Sequence, residues 1–178
     1  SVVDLEAKPP KVIATIEAGA SPAGVSINRQ GTLALVANRE EGTVSVLKIA
    51  GKQVTAAGKV TIADAKSGVS HAMFTPDGKT ALVTRDNDHF ISVLSIDGDT
   101  VTYTKRDMSA GARPYGMDIS SKGDIAVVAN IGRGAGDSDT ISVIDLTVKP
   151  PRVVDTITVG QTPEGIKISP DGKLVGVV

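Results

Sequence analysis

The sequence predicts an all-β fold assembled from one four-stranded antiparallel unit that recurs along the chain, and three observations carry that prediction. The chain resembles itself at a spacing of about 47 residues, the mark of a repeat architecture. Apolar residues recur with small or polar residues between them, as in Val44, Val46 and Ile49, in Ile91, Val93 and Ile96, and in Ile141, Val143 and Leu146, a period near two rather than 3.6. Aromatic residues make up 2% of the chain and Trp is absent, so Val, Ile, Leu and Ala must fill the core, and the β-branched members of that set favour strands.

Four related segments anchor the units: Pro22–Gly31, Val69–Gly78, Pro114–Gly123 and Pro163–Gly172. Each is an apolar-x-apolar stretch running into a turn, and their last glycines stand 47, 45 and 49 residues apart. Residues Ser1 to Ala37 align without a gap on Ser142 to Val178, three periods away, with 17 of 37 positions identical. Both stretches carry Asp-Leu, Lys-Pro-Pro, Val-x-x-Thr-Ile-x-x-Gly and Pro-x-Gly. Within a unit four strands are expected, typified by Tyr115–Ile119, Ile125–Asn130, Thr140–Leu146 and Val153–Thr158. Turns such as Pro76-Asp77-Gly78 and Pro170-Asp171-Gly172 join the first two, because Pro presets φ and Gly accepts a positive one. The spacing divides a single domain, 1–178, into a half unit (1–20), three whole units (21–66, 67–112 and 113–161) and a second half unit (162–178).

Four-stranded sheets repeated radially are the propeller answer to exposed sheet edges, with about four to eight blades in a ring. The expected fold is therefore a β-propeller, three complete blades and two half-blades of it in this chain. The unit resembles the YVTN-repeat β-propeller family, in which Thr-Val-Ser-Val-x-Asp, Val-x-x-Thr-Ile-x-Val-Gly, Pro-x-Gly-Val/Ile-x-Ile-Ser-Pro-Asp-Gly-Lys and a Val-x-Asn strand follow in order. The likeness covers nearly the whole chain, being clearest over Thr140–Val178 and weaker over Val54–Asp88. The Gly-His and Trp-Asp landmarks of WD40 repeats are missing. Under this resemblance Pro-x-Gly opens the innermost strand, so Ser1–Ile16 would be two outer strands and Glu164–Val178 two inner ones. Three arrangements fit: the halves pair into a composite blade closing a four-bladed ring, they belong to a larger propeller, or two copies complete one ring. An apolar strand left open at Val175-Gly176-Val177-Val178 would be a sticky edge, which favours the larger propeller, seven-bladed in the related lactonase branch.

Bulk properties exclude several classes. The 19 basic and 20 acidic residues give a net charge of -1 and form no basic stripe, which argues against nucleic acid. No apolar run is long enough for a transmembrane segment. The absence of Cys removes disulfides, thiolate metal sites and cysteine nucleophiles together. Ser1-Val2-Val3-Asp4-Leu5 has neither a charged nor an apolar leader region, as a mature or truncated chain would also show. The resemblance implies export to the periplasm or the cell exterior.

Candidate site residues follow from where the loops into the innermost strands converge, around one mouth of the central channel. His71 stands where three units have glycine, and a departure from the repeat at a channel-facing place is a hint the fold does not ask for. It is the catalytic candidate, against a packed or solvated histidine as the plain alternative. Arg113 and Tyr115 flank Pro114 in the next blade and Glu164 occupies the loop after that. Asn38, Arg85 and Asn130 end the second strands and would complete a polar rim, although Asn at a strand end also serves the backbone. The longer loop Gly132–Asp139 offers Asp137 and Asp139 to a cation, but hard cations want six or more oxygens and Asp-x-Asp alone falls short of the EF-hand pattern.

Three functions fit these residues. The leading one is a non-enzymatic scaffold whose rim loops hold a protein, carbohydrate or small-molecule ligand, with no cofactor. The second follows from the stretch Val69–Gly78 and Thr84-Arg85-Asp86, which resembles the lactonase branch of seven-bladed propellers while lacking its paired histidines and Asp-Leu-Gly. It implies a lactone hydrolase at the channel mouth, with His71 as the base and Arg113 or Arg85 as the oxyanion partner. The third, a quinoprotein-dehydrogenase-like subunit, shares the repeat but finds no cofactor-forming residues here.

Overall fold

A computed structural model describes residues 1–178 except Ala135 and Asp137. Three four-stranded antiparallel meanders follow one another along the chain. The first holds β3 (Pro22–Ile27), β4 (Leu33–Asn38), β5 (Thr43–Ala50) and β6 (Gln53–Thr61). The second holds β7 (Val69–Phe74), β8 (Thr80–Arg85), β9 (Phe90–Asp97) and β10 (Thr100–Ser109), and the third β11 (Pro114–Ile119), β12 (Ile125–Asn130), β13 (Thr140–Asp145) and β14 (Arg152–Thr158). Two-stranded sheets flank them: β1 (Val2–Asp4) with β2 (Lys11–Ala14), and β15 (Ile166–Ile168) with β16 (Val175–Val177). Among the described residues these halves form separate sheets, so the composite closing blade is not made and the chain is an open arc.

The same turn closes the first hairpin of every unit. The N–H groups of Asn28, Thr75, Ser120 and Ser169 donate to the carbonyls of Leu33, Thr80, Ile125 and Leu174 at 2.8 to 2.9 Å. The glycine in each turn, Gly31, Gly78, Gly123 or Gly172, has φ of 69 to 74°, which is why the repeat keeps glycine there. The side chain that opens the turn also closes it, as when Asn28 Oδ1 accepts from the N–H of Thr32 and Leu33 and Ser120 Oγ from those of Asp124 and Ile125.

The core lies between the blades. Leu35, Val44, Val69, Val83 and Leu94 join the first to the second, and Leu82, Ile91, Met117, Val128 and Ile144 join the second to the third. Fully buried side chains of this size are worth about 1.5 to 3 kcal/mol each. The innermost strands touch in the order β3, β7, β11, β15, and each of the first three slips register at its start: between Pro22 and Val25, Val69 and His71, and Pro114 and Met117. Such irregularities re-aim side chains, and here they fall at the Pro-x-Gly positions, at the mouth of the arc.

Candidate functional site at the channel mouth

At that mouth the residue following the second strand of each of the first two blades turns inward. Arg39 follows β4 and Asp86 follows β8, so adjacent blades present opposite charges at equivalent repeat positions. Asp86 is fully buried. Its Oδ2 accepts from Arg39 Nη2 at 2.5 Å and from Arg113 Nη2 at 3.4 Å, and its Oδ1 lies 3.3 Å from the hydroxyl of Ser70. One carboxylate therefore gathers arginines from the blades on either side, leaving one positive charge over. Both arginines stay in contact with solvent, 29% and 38% exposed. Gly68 makes this possible, since a Cβ there would fall 1.8 Å from Asp86 Oδ1.

His71 and Tyr115 sit beside this cluster. Their rings meet edge to face at 4.9 Å, and the Arg39 guanidinium lies 6.0 Å from the Tyr115 ring centre. Thr84 ties the two strands together, accepting from the His71 N–H at 3.1 Å and donating to the Tyr115 carbonyl at 2.9 Å. Burial pushes the His71 imidazole below its ordinary pKa, because desolvation disfavours the charged ring. Its Nδ1 is buried without a hydrogen-bond partner. Arg113 holds a left-handed φ of 57° and donates its N–H to His89 Nδ1 at 3.0 Å.

The other rim candidates lie elsewhere. Arg85 turns over its own sheet, donating through Nη1 to Asp107 at 2.9 Å, pairing with Asp88, and resting 5.5 Å from the Phe90 ring centre. Asn38 and Asn130 are buried at the same place in their blades, each bridging two hydroxyls at 2.9 to 3.0 Å: Thr43 and Ser45 for one, Thr140 and Ser142 for the other. Theirs is strand-end work. Glu164 is exposed on the last half-blade, its N–H donating to the Val178 carbonyl at 2.9 Å. Asp139 accepts from the Thr162 N–H at 2.7 Å, and Asp137 lies outside the described residues. The mouth thus joins His71, Arg113 and Tyr115 to Arg39, Ser70 and Asp86. Aligning the units on the ends of their second strands is the sequence signal that finds Arg39 and Asp86.

No protein-family model matches the chain, and no curated protein matches it. Solved structures do. The chain is similar to a functionally unknown protein from Desulfotomaculum acetoxidans, with a TM-score of 0.83 and 20% identity over 99% of this chain and 54% of that one. Kuenenia stuttgartiensis hydrazine synthase gives a TM-score of 0.75 and 24% identity over 88% of this chain and 43% of its own. Pseudomonas aeruginosa periplasmic gluconolactonase gives 0.68 and 18% over 88% and 49%. The fold is that of a β-propeller. The chain spans about half the length of these structures, and at such identities the likeness concerns the fold.

Proposed function

We propose that the propeller works as a lactonase-like hydrolase at the channel mouth, with His71 as the base that activates water and Arg113 as the donor facing the developing oxyanion. The observation that carries the reading is a half-buried imidazole, its pKa pushed down by burial, at a place where the repeat otherwise has glycine, beside a carboxylate that holds two partly exposed arginines. A neutral histidine accepts a proton at pH 7, and a guanidinium at the mouth offers N–H donors to a developing oxyanion. The likeness to a gluconolactonase supplies the substrate class to try first. The same neighbour supports a periplasmic or extracellular location; among the described residues no helix is long and apolar enough to cross a membrane.

One observation favours a second reading, in which the mouth binds its ligand without turnover. A general-base histidine is normally oriented by an acceptor on its other nitrogen, and Nδ1 of His71 has none. The mouth would then hold a ligand rich in oxygen through Arg39, Arg113 and Tyr115. Steady-state hydrolysis of glucono-δ-lactone and a panel of larger lactones separates the two. The hydrolase reading expects turnover that falls by about a hundredfold or more in His71→Gln with an unchanged melting temperature. Calorimetric binding of the panel with no turnover leaves the binding reading standing and removes the other.

A further inference from the structure

At the opposite end of the sheets from His71, the second and third blades part to form a cleft of about 560 Å³. Its far wall is a local peculiarity of the third blade. In the first two blades the third and fourth strands are joined by two residues, Gly51-Lys52 and Gly98-Asp99. In the third, six residues, 146–151, separate β13 from β14, and they stand over the second blade. The lining is apolar on both sides, with Val93 and Leu94 from the second blade and Leu146, Val148, Pro150 and Pro151 from that wall. Four cations rim it: Lys79, Arg106, Lys122 and Lys149. None of them has an ion-pair partner among the described residues. The single carboxylate in the lining, Asp77, already accepts from the Thr75 hydroxyl at 2.6 Å and the Lys79 N–H at 3.0 Å. Arg106 lies where β10 slips register between Tyr103 and Asp107, three of its residues, 104–106, standing opposite Val93 alone.

We propose that this cleft is a second binding site, for a small amphiphilic anion: a carboxylate, sulfonate or phosphate group on an apolar body. The volume falls in the range of small-ligand pockets, which join an apolar lining to a few convergent polar groups. The four cations outnumber the one carboxylate, Asp77, and an anion relieves their mutual repulsion while its body covers the apolar lining. The chain as a whole is nearly neutral, so this concentration of one sign is a property of the cleft. The extended loop bearing Lys149 supplies both features at once.

Fluorescence titration with 8-anilinonaphthalene-1-sulfonate, followed by competition with decanoate and with decanol, tests the assignment. The expected result is one saturable site, displaced by decanoate and much less by decanol, and weakening as salt is raised. The exposed substitutions Arg106→Glu and Lys149→Glu, checked for native folding by circular dichroism, should each weaken binding about tenfold or more, the effect of one lost charge-assisted contact. His71→Gln should leave it unchanged. Equal displacement by decanol, charge reversals without effect, or a signal abolished by Val25→Ser with Ile27→Ser on the exposed face of β3 would each overturn the proposal.

Discussion

Neutral His71 and buried Asp86 solve the same problem in different ways. Asp86 is surrounded by donors, so its charge is compensated where it sits. His71 is held by packing against Tyr115, and burial lowers its pKa in the folded chain. The unfolded chain therefore binds a proton at His71 at a higher pH than the folded one. The stability this neutral ring allows is fully present above the ordinary histidine value of about 6.5. It is lost as pH falls from there toward the lower folded value. Urea unfolding measured in steps between pH 8 and pH 5 should show that loss, and His71→Gln should flatten it; an equal slope in both proteins would count against a shifted His71. The residues at this scale were only partly legible. His71 stands out because it replaces a repeat glycine on the innermost strand, and Arg113 and Tyr115 because they flank Pro114 where the loops into those strands converge. Arg85 breaks the repeat as visibly, yet it occupies the strand-end place of Asn38 and Asn130 and turns over its own sheet toward Ser92 and Asp107. The inward-facing position is one residue later, at Arg39 and Asp86.

Strands explain why the repeat keeps Pro-x-Gly. A Cβ added to Gly116 would lie 2.1 Å from the carbonyl oxygen of Glu164 in the next unit, and one added to Gly24 would lie 2.8 Å from that of Ser70. These glycines let neighbouring innermost strands approach backbone to backbone, the close contact that a propeller centre demands. In Gly116→Ala the obstacle is main chain and cannot swing aside, so β15 and β16 should lose their seat on β11. Hydrogen exchange should quicken at the amides of 164–178 while the first two blades keep their protection. A cost of about 1 to 3 kcal/mol is the usual scale for overpacking. Unchanged exchange there would mean the half-blade docks without this contact. Element existence was readable throughout the whole units, since period-two patterning and turn glycines agree with each other. The register slips at 22–25, 69–71 and 114–117 were not, because a bulge leaves the alternation on either side almost intact.

Across the whole molecule, burial of a repeat position depends on whether a preceding blade covers it. Phe74 and Ile168, in the second and last units, are 7% and 8% exposed and Ile119 in the third is half-buried, whereas Ile27 at the same place in the first unit is 60% exposed and Val25 two residues before it 68%. An apolar patch on the inner strand of a sheet is normally covered, and in this fold its natural cover is the face of another blade. The repeat supplies such a face in every unit, so a second copy of this chain carries surfaces that fit the exposed patch on β3. This chain is expected to self-associate as its concentration rises, and Val25→Lys with Ile27→Lys should hold it monomeric without lowering its melting temperature, since neither side chain belongs to the core between blades. Sedimentation velocity over a wide concentration range reads the outcome. A wild-type chain that stays monomeric throughout would show that water covers the face instead, the entropy lost on joining two copies outweighing the burial of this patch.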